Sequence, residues 1–250
     1  MHRLLATAFA ALFTLGLVPS ASALDAACNP GKPGSELTGD EAQKVYECIA
    51  AGLDEGWQKG AKRWIPADRM ETYRSWALAS TFPAAPGFHG ERFLITRVNE
   101  TGHAAYTEYS ETPAIPAGTL IAKESFKVGD DGKVRAGPLF FMEKVAEGTS
   151  PETMDWYYYA VAPNGTPMAV NVMQACNACH VDTFGFQGGM GYPVEEARLN
   201  CAATAFGRRP FSAGAFSDRS GPRQGMLRRL PATPCPRPRP SHPRVGRRSS

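Results

Sequence analysis

The sequence predicts an α+β fold, a mainly antiparallel β-sheet preceded by two packed N-terminal helices. Three observations carry that expectation. A capping box near residue 38 opens an apolar stripe at helical spacing. After residue 82 the texture changes to short runs of β-branched and aromatic residues broken by Gly, Pro and Asp. The chain then closes on a basic, Pro-rich stretch without periodicity. With 250 residues there is ample length for one ordinary domain with appendages, so cysteines are not needed to staple a miniature core.

At the N-terminus, Arg3, an apolar run from Leu4 to Val18 and the small residues Ala21-Ser22-Ala23 read as a secretory signal cleaved after Ala23. The run is shorter than the roughly 20 residues that a bilayer span requires, and no later segment is apolar for long enough. The expected location is periplasmic or secreted, with no membrane span after cleavage. In such compartments thiol pairs are oxidised, metallated or covalently modified. Cys28 and Cys48 flank a capping and turn region and are expected to form a disulfide.

The folded part is expected over residues 24–200, with helices within 38–80 and a β-rich region over 82–200. Thr38-Gly39-Asp40-Glu41 is the capping box. Ala42, Val45, Tyr46, Ile49, Leu53 and Trp57 follow at three- and four-residue steps, and Gly60 ends the helix. Pro66 opens a second amphipathic helix, "PADRMETYRSWALAS", with Met70, Tyr73, Trp76 and Ala77 on one face. "RFLITRVN", "AAYTEYSE", "GTLIAKESFKV", "PLFFMEKVA" and "WYYYAVA" are the expected strands, about five, separated by turns such as Gly129-Asp130-Asp131-Gly132 and Pro163-Asn164-Gly165.

Residues 201–250 hold eleven Arg, no Lys and a single acid, Asp218. Their composition cannot offset the entropy of folding, so this tail is expected to be disordered, and Cys201 and Cys235 become incidental thiols. Clustered Arg could neutralise phosphates. An exported chain meets little nucleic acid, however, and aromatics for base stacking are nearly absent, so no nucleic-acid partner is expected. The abrupt change to Arg, Pro, Ser and Gly reads as an extended coding region rather than a selected arm.

The chemistry concentrates in Cys176-Asn177-Ala178-Cys179-His180. Two thiols three positions apart lie on one side of a helical turn, where each can add to a haem vinyl group. The following histidine can bring an imidazole nitrogen to the iron, so the pentapeptide reads as a covalent haem c site with His180 as axial ligand. A thioredoxin-like dithiol would open a helix in an alternating β/α chain, and structural zinc would want a second Cys or His pair. Typical electron-carrying cytochromes c are mostly helical, with this motif near the start and a downstream Met ligand. Here the motif follows a run of strands, and Met190 lies too close for an obvious return. Upstream, His103, Met142, Met154 and Met168 are the remaining sixth-ligand candidates.

A mostly β domain with this motif near its end, preceded by "PAIPAGTLIAKESF", "GPLFFMEKV" and "DWYYYAVAPNG", resembles the cytochrome P-460 family, which includes the β-sheet cytochromes c-prime. The likeness covers roughly residues 90–198 and is most specific at Pro116 to Glu124, Met142 to Lys144, Asp155 to Tyr157 and Cys176 to His180. The resemblance implies one covalent haem with His180 proximal and an open sixth position, in a domain that often forms homodimers. It also implies redox chemistry on small nitrogen oxides such as hydroxylamine or nitric oxide, together with a redox partner protein. Family enzymes carry a Lys cross-link to the porphyrin. The corresponding stretch here has none and places Ala104 or Ala105 there, while Lys123 on the next strand is read as solvated.

Hydroxylamine oxidation also requires a proton acceptor. Glu124 and Glu143 are the candidate bases, with Phe126, Phe140, Phe141 and Trp156 as an apolar cap and His103 as a further distal group. Two other functions fit the sequence: a non-catalytic gas-binding or electron-transfer cytochrome of the β-sheet c-prime type, and a haem-free exported β-domain with a Cys176–Cys179 disulfide.

Overall fold

Helix α1, Gly39–Gln58, begins where its cap dictates. The Thr38 hydroxyl accepts from the Glu41 amide at 3.3 Å while the Glu41 carboxylate accepts from the Thr38 amide at 2.9 Å, a reciprocal cap worth about 1 kcal/mol. The expected stripe is buried along its whole length, from Ala42 to Trp57. Burying each large side chain of that stripe contributes about 1.5–3 kcal/mol. The Trp57 indole nitrogen donates to the Gly137 carbonyl at 3.0 Å, fixing the end of the helix on the sheet. Cys28 and Cys48 form the expected disulfide, with Cα atoms 5.7 Å apart, tying the N-terminal turn to α1.

This computed structural model describes residues 24–60, 65–85, 87–170 and 173–199. The signal segment, the basic tail, Cys201 and Cys235 lie outside the described residues. The described residues contain no helix long and apolar enough to cross a membrane.

The second helix is much shorter than expected. α2 spans only Ala67–Thr72, and a single 3-10 turn follows over Tyr73–Ser75. Met70 and Tyr73 are buried as their pattern required, but Ala77 and Leu78 form strand β1 and are exposed. Tertiary pairing overrides the helical pattern here: Ala77 and Leu78 pair with Val98 and Arg97, and the Arg97 guanidinium donates to the carbonyls of Arg74 and Trp76.

Among the described residues the sheet has seven strands, all pairing antiparallel. They are β1, β2 (Phe93–Val98), β3 (Leu120–Val128), β4 (Val134–Ala136), β5 (Leu139–Lys144), β6 (Trp156–Val161) and β7 (Pro167–Val170), in the order β1-β2-β3-β5-β6-β7 with β4 paired to β3. "AAYTEYSE" is not a strand. Its first half, Ala104 to Thr107, ends helix α3, Glu100–Thr107, and its second half is turn and loop; α3 is capped by Asn99, whose side chain accepts from the Gly102 and Leu120 amides at 3.3 and 3.0 Å.

One face of the sheet packs on α1 and α2 through Phe93, Ile95, Ala122, Phe126, Leu139 and Phe141. The other is covered by α3 and the segment after β7, through Val98, Ile121, Met142, Trp156 and Tyr158. The Tyr106 hydroxyl donates to the Gly191 carbonyl at 3.0 Å and the Trp156 indole to Gly188 at 2.8 Å, and both bonds hold that segment down. β3 lies between the two layers, so six consecutive residues from Ile121 to Phe126 are buried and the expected polar–apolar alternation is lost.

Candidate functional site

After β7 the chain makes a π-turn over Met173–Asn177 and enters α4, Ala178–Phe184. Cys176 is the penultimate residue of the wide turn, and Cys179 and His180 lie in the first turn of α4. Wide turns of this kind recur at functional sites because they shift side-chain phase along a helix. Both thiols are free, Cys176 half-buried and Cys179 exposed. Burial pushes the Cys176 thiol pKa up, and Cys179 adds to that.

His180 is buried at 7 % exposure. Its Nδ1 lies 2.7 Å from the carbonyl of Gly189, which can only accept, so Nδ1 carries the proton and Nε2 keeps its lone pair. Burial, reinforced by the positive charge of Lys123, pushes His180 down to about 4, so the ring is neutral at pH 7. A neutral imidazole oriented by a backbone carbonyl is the usual form of a histidine metal ligand.

His180, Cys176 and Cys179 border one cavity of about 330 Å³ whose walls are mostly aromatic and aliphatic. A second cavity of about 430 Å³ shares Phe88, His89, Lys123, His180 and Phe184 with the first. The floor follows from strand register. Thr96, Lys123 and Phe140 form one row across β2, β3 and β5, and Ile121, Met142 and Tyr158 another.

Lys123 is therefore not solvated. It is 7 % exposed, borders both cavities, and its Nζ reaches only the Gly191 carbonyl, at 3.4 Å, among the described residues. Burial alone pushes its pKa down to about 8. With Arg92 it makes a cationic rim on the 330 Å³ cavity, whose described lining holds no carboxylate.

The two carboxylates read as bases lie on the helix-packed face instead. Glu124 is 1 % exposed and accepts from the Tyr46 hydroxyl at 3.0 Å and from Arg74 at 2.8 Å, with Arg97 3.5 Å away. Glu143 is held by Arg69 at 2.6 Å and the Tyr159 hydroxyl at 2.7 Å. Strand alternation forces the separation: Lys123 faces the cavity, so Glu124 beside it faces α1.

Of the expected apolar cap, Phe140 and Phe141 border the cavity, while Phe126 and Trp156 pack elsewhere. His103 is on α3 with its Nε2 2.9 Å from the Leu78 carbonyl, at a separate surface hollow that also includes Ala104. Met142 and Met168 border the cavity, whereas Met154 and Met190 do not.

Sequence reasoning missed His89 and Arg92. His89 borders both cavities with its ring centroid 6.3 Å from that of His180 and 4.9 Å from that of Phe140. Burial, then the charges of Lys123, His180 and Arg92, push it down to about 3. The available signal was a histidine between Gly87 and Gly90, which marks a turn but not the direction of the ring.

The residues present fit a covalently held haem. Two free thiols at the required spacing, a neutral buried imidazole and apolar walls supply the donors and surfaces, and two cations without carboxylate partners among the described residues suit the anionic propionates. Among the described residues no three His, Cys, Asp or Glu side chains converge as a closed zinc site would require. No protein-family model matches the chain, and no curated protein matches it.

Proposed function

We propose that the protein is an exported mono-haem c-type cytochrome, similar to the cytochrome P-460 family, that performs redox chemistry on small nitrogen oxides such as hydroxylamine or nitric oxide and exchanges electrons with a partner protein. The observation that supports it is His180: its ring is fixed by the Gly189 carbonyl at the wall of an apolar cavity that also holds both free thiols of the Cys-x-x-Cys-His motif.

Each residue then has a defined task. The Cys176 and Cys179 thiols add across the two haem vinyl groups. In each addition a carbon–sulfur bond forms and the thiol proton ends on the neighbouring carbon, so no oxidant is consumed. His180 Nε2 supplies the proximal nitrogen. Arg92 and Lys123 would pair with the propionates, giving the buried ammonium of Lys123 the counter-charge it lacks among the described residues. Phe140, Met142 and Phe184 line the cavity and would exclude water from a haem held there. When bound, the haem supplies one-electron chemistry and an iron site for nitrogen ligands.

A second reading, a gas-binding or electron-transfer cytochrome of the β-sheet c-prime type, is favoured by one observation: Glu124 and Glu143 face away from the 330 Å³ cavity, whose described lining holds no carboxylate, while Glu195 and Glu196 border only the adjoining one.

The test is expression with export and haem attachment, followed by acid-acetone extraction and the pyridine haemochrome spectrum. One haem per chain should stay with the protein, and the Cys176→Ser, Cys179→Ser double variant should release it. A colourless wild-type protein would rule the reading out. Turnover of hydroxylamine, set against nitric oxide binding without turnover, then separates the two cytochrome readings.

A further inference from the structure

We propose that His89 is the second axial ligand of the iron, on the side opposite His180, making the site bis-histidine rather than open. This rests on the haem reading above and adds the distal half of it.

Three observations carry it. Two imidazoles ligating one iron, each with a nitrogen about 2 Å from the metal, put their ring centroids about 6 Å apart, and the rings of His89 and His180 are 6.3 Å apart. His89 Nδ1 is sealed from solvent without a hydrogen-bond partner. A nitrogen sealed in this way does not face the cavity; with no protein group holding Nδ1, the ring is left to present Nε2 to the cavity that His89 borders. The backbone is also held in an unfavourable form to place the ring. His89, between Gly87 at 79° and Gly90 at 70°, has φ of 56°, and Glu91 just after them has φ of 55°. A non-glycine residue pays for that conformation, and such strain persists where surrounding contacts enforce it. Those contacts are present: the Arg92 guanidinium donates to the His89 carbonyl, and the His89 ring packs on Phe140.

Met142 and Met168 border the same cavity and are the competing donors. Met142 packs within the apolar core of the sheet and Met168 is 58 % exposed at the mouth. Neither sits on a segment strained toward the cavity. His89 also lies outside any strand or helix, on a segment with glycines two residues before and one residue after it.

Electron paramagnetic resonance and near-infrared magnetic circular dichroism of the ferric holoprotein test this. The wild type should be low-spin with a bis-imidazole signature. His89→Gly, which accepts the positive φ, should be high-spin and return to low-spin on addition of imidazole. His89→Asn, also tolerant of that backbone, should be high-spin as well. A high-spin wild type, a thioether charge-transfer band, or a low-spin spectrum unchanged in both variants would overturn the assignment while leaving covalent haem intact. Failure of the haem reading itself looks different, since the protein would retain no colour after acid-acetone extraction.

Discussion

Lys123 shows how one side chain is decided by what covers it. Its sequence neighbours Ala122 and Glu124 face the α1 layer, and the only direction left points the ammonium into the cavity. A buried cation without a counter-charge destabilises the chain that carries no bound group, and the effect depends on pH. With its folded pKa lowered to about 8 from 10.5, the unfolded chain binds more protons than the folded one between those values, so stability rises with pH through that window. The full difference is about 3 kcal/mol. Against this, burial of Tyr46 raises its pKa to about 12, so above pH 10 its ionisation favours the unfolded chain. The comparison that isolates the lysine is therefore wild type against Lys123→Met in urea. The Met variant should be more stable at pH 7, and the gap should narrow steadily towards pH 10. A gap independent of pH would show that the ammonium is solvated after all.

At the scale of elements, α3 is the clearest case of sequence pattern and tertiary structure parting. "AAYTEYSE" alternates, yet Tyr106 and Tyr109 are brought to one side by a helical turn and cluster with Tyr192. The helix can lie this close to β3 only because residue 102 is glycine. A Cβ there would come within 2.1 Å of Thr119 Cγ2 and 2.5 Å of its Oγ1, and that hydroxyl is committed to the Pro116 carbonyl at 2.7 Å. Gly102→Ala should therefore lose about 1–3 kcal/mol from overpacking, against about 1 kcal/mol of gained helix propensity. Thermal unfolding should show a net drop, and Thr119→Ser, which removes the closest carbon, should recover part of it in the double variant. A stabilised single variant would mean that α3 does not dock so closely.

The elements that sequence made legible share a property: α1 and strands β2, β3, β5 and β6 each carry enough apolar residues to specify themselves. α2 ended early and β1, β4 and β7 were missed because they are short and depend on partners distant in sequence. The site divides in the same way. Cys176, Cys179 and His180 are contiguous, so local spacing gave their chemistry, whereas His89 and Lys123 reach the cavity by register and loop geometry that no local pattern encodes.

Across the whole molecule, the sheet separates two roles. The face against α1 and α2 holds the disulfide-tied helical layer and the buried Glu124 with Arg74, Arg97 and Tyr46; the other face holds the cavity, both thiols and His180. A carboxylate on the first face should affect folding without affecting the site. Removing the charge of Glu124 leaves two guanidinium groups facing a neutral amide, and breaking a buried ion pair costs about 3–5 kcal/mol. Arg74 is 30 % exposed and Arg97 17 %, and water reduces the penalty to about 2–3 kcal/mol. Glu124→Gln should lower the urea midpoint accordingly and leave the m-value unchanged. The same variant, made as holoprotein, should keep the wild-type haem spectrum and ligand affinity, because no atom of Glu124 borders the cavity. If its spectrum or ligand binding shifted while stability held, Glu124 would act at the iron through the sheet, and the division of the molecule into a supporting face and a working face would fail.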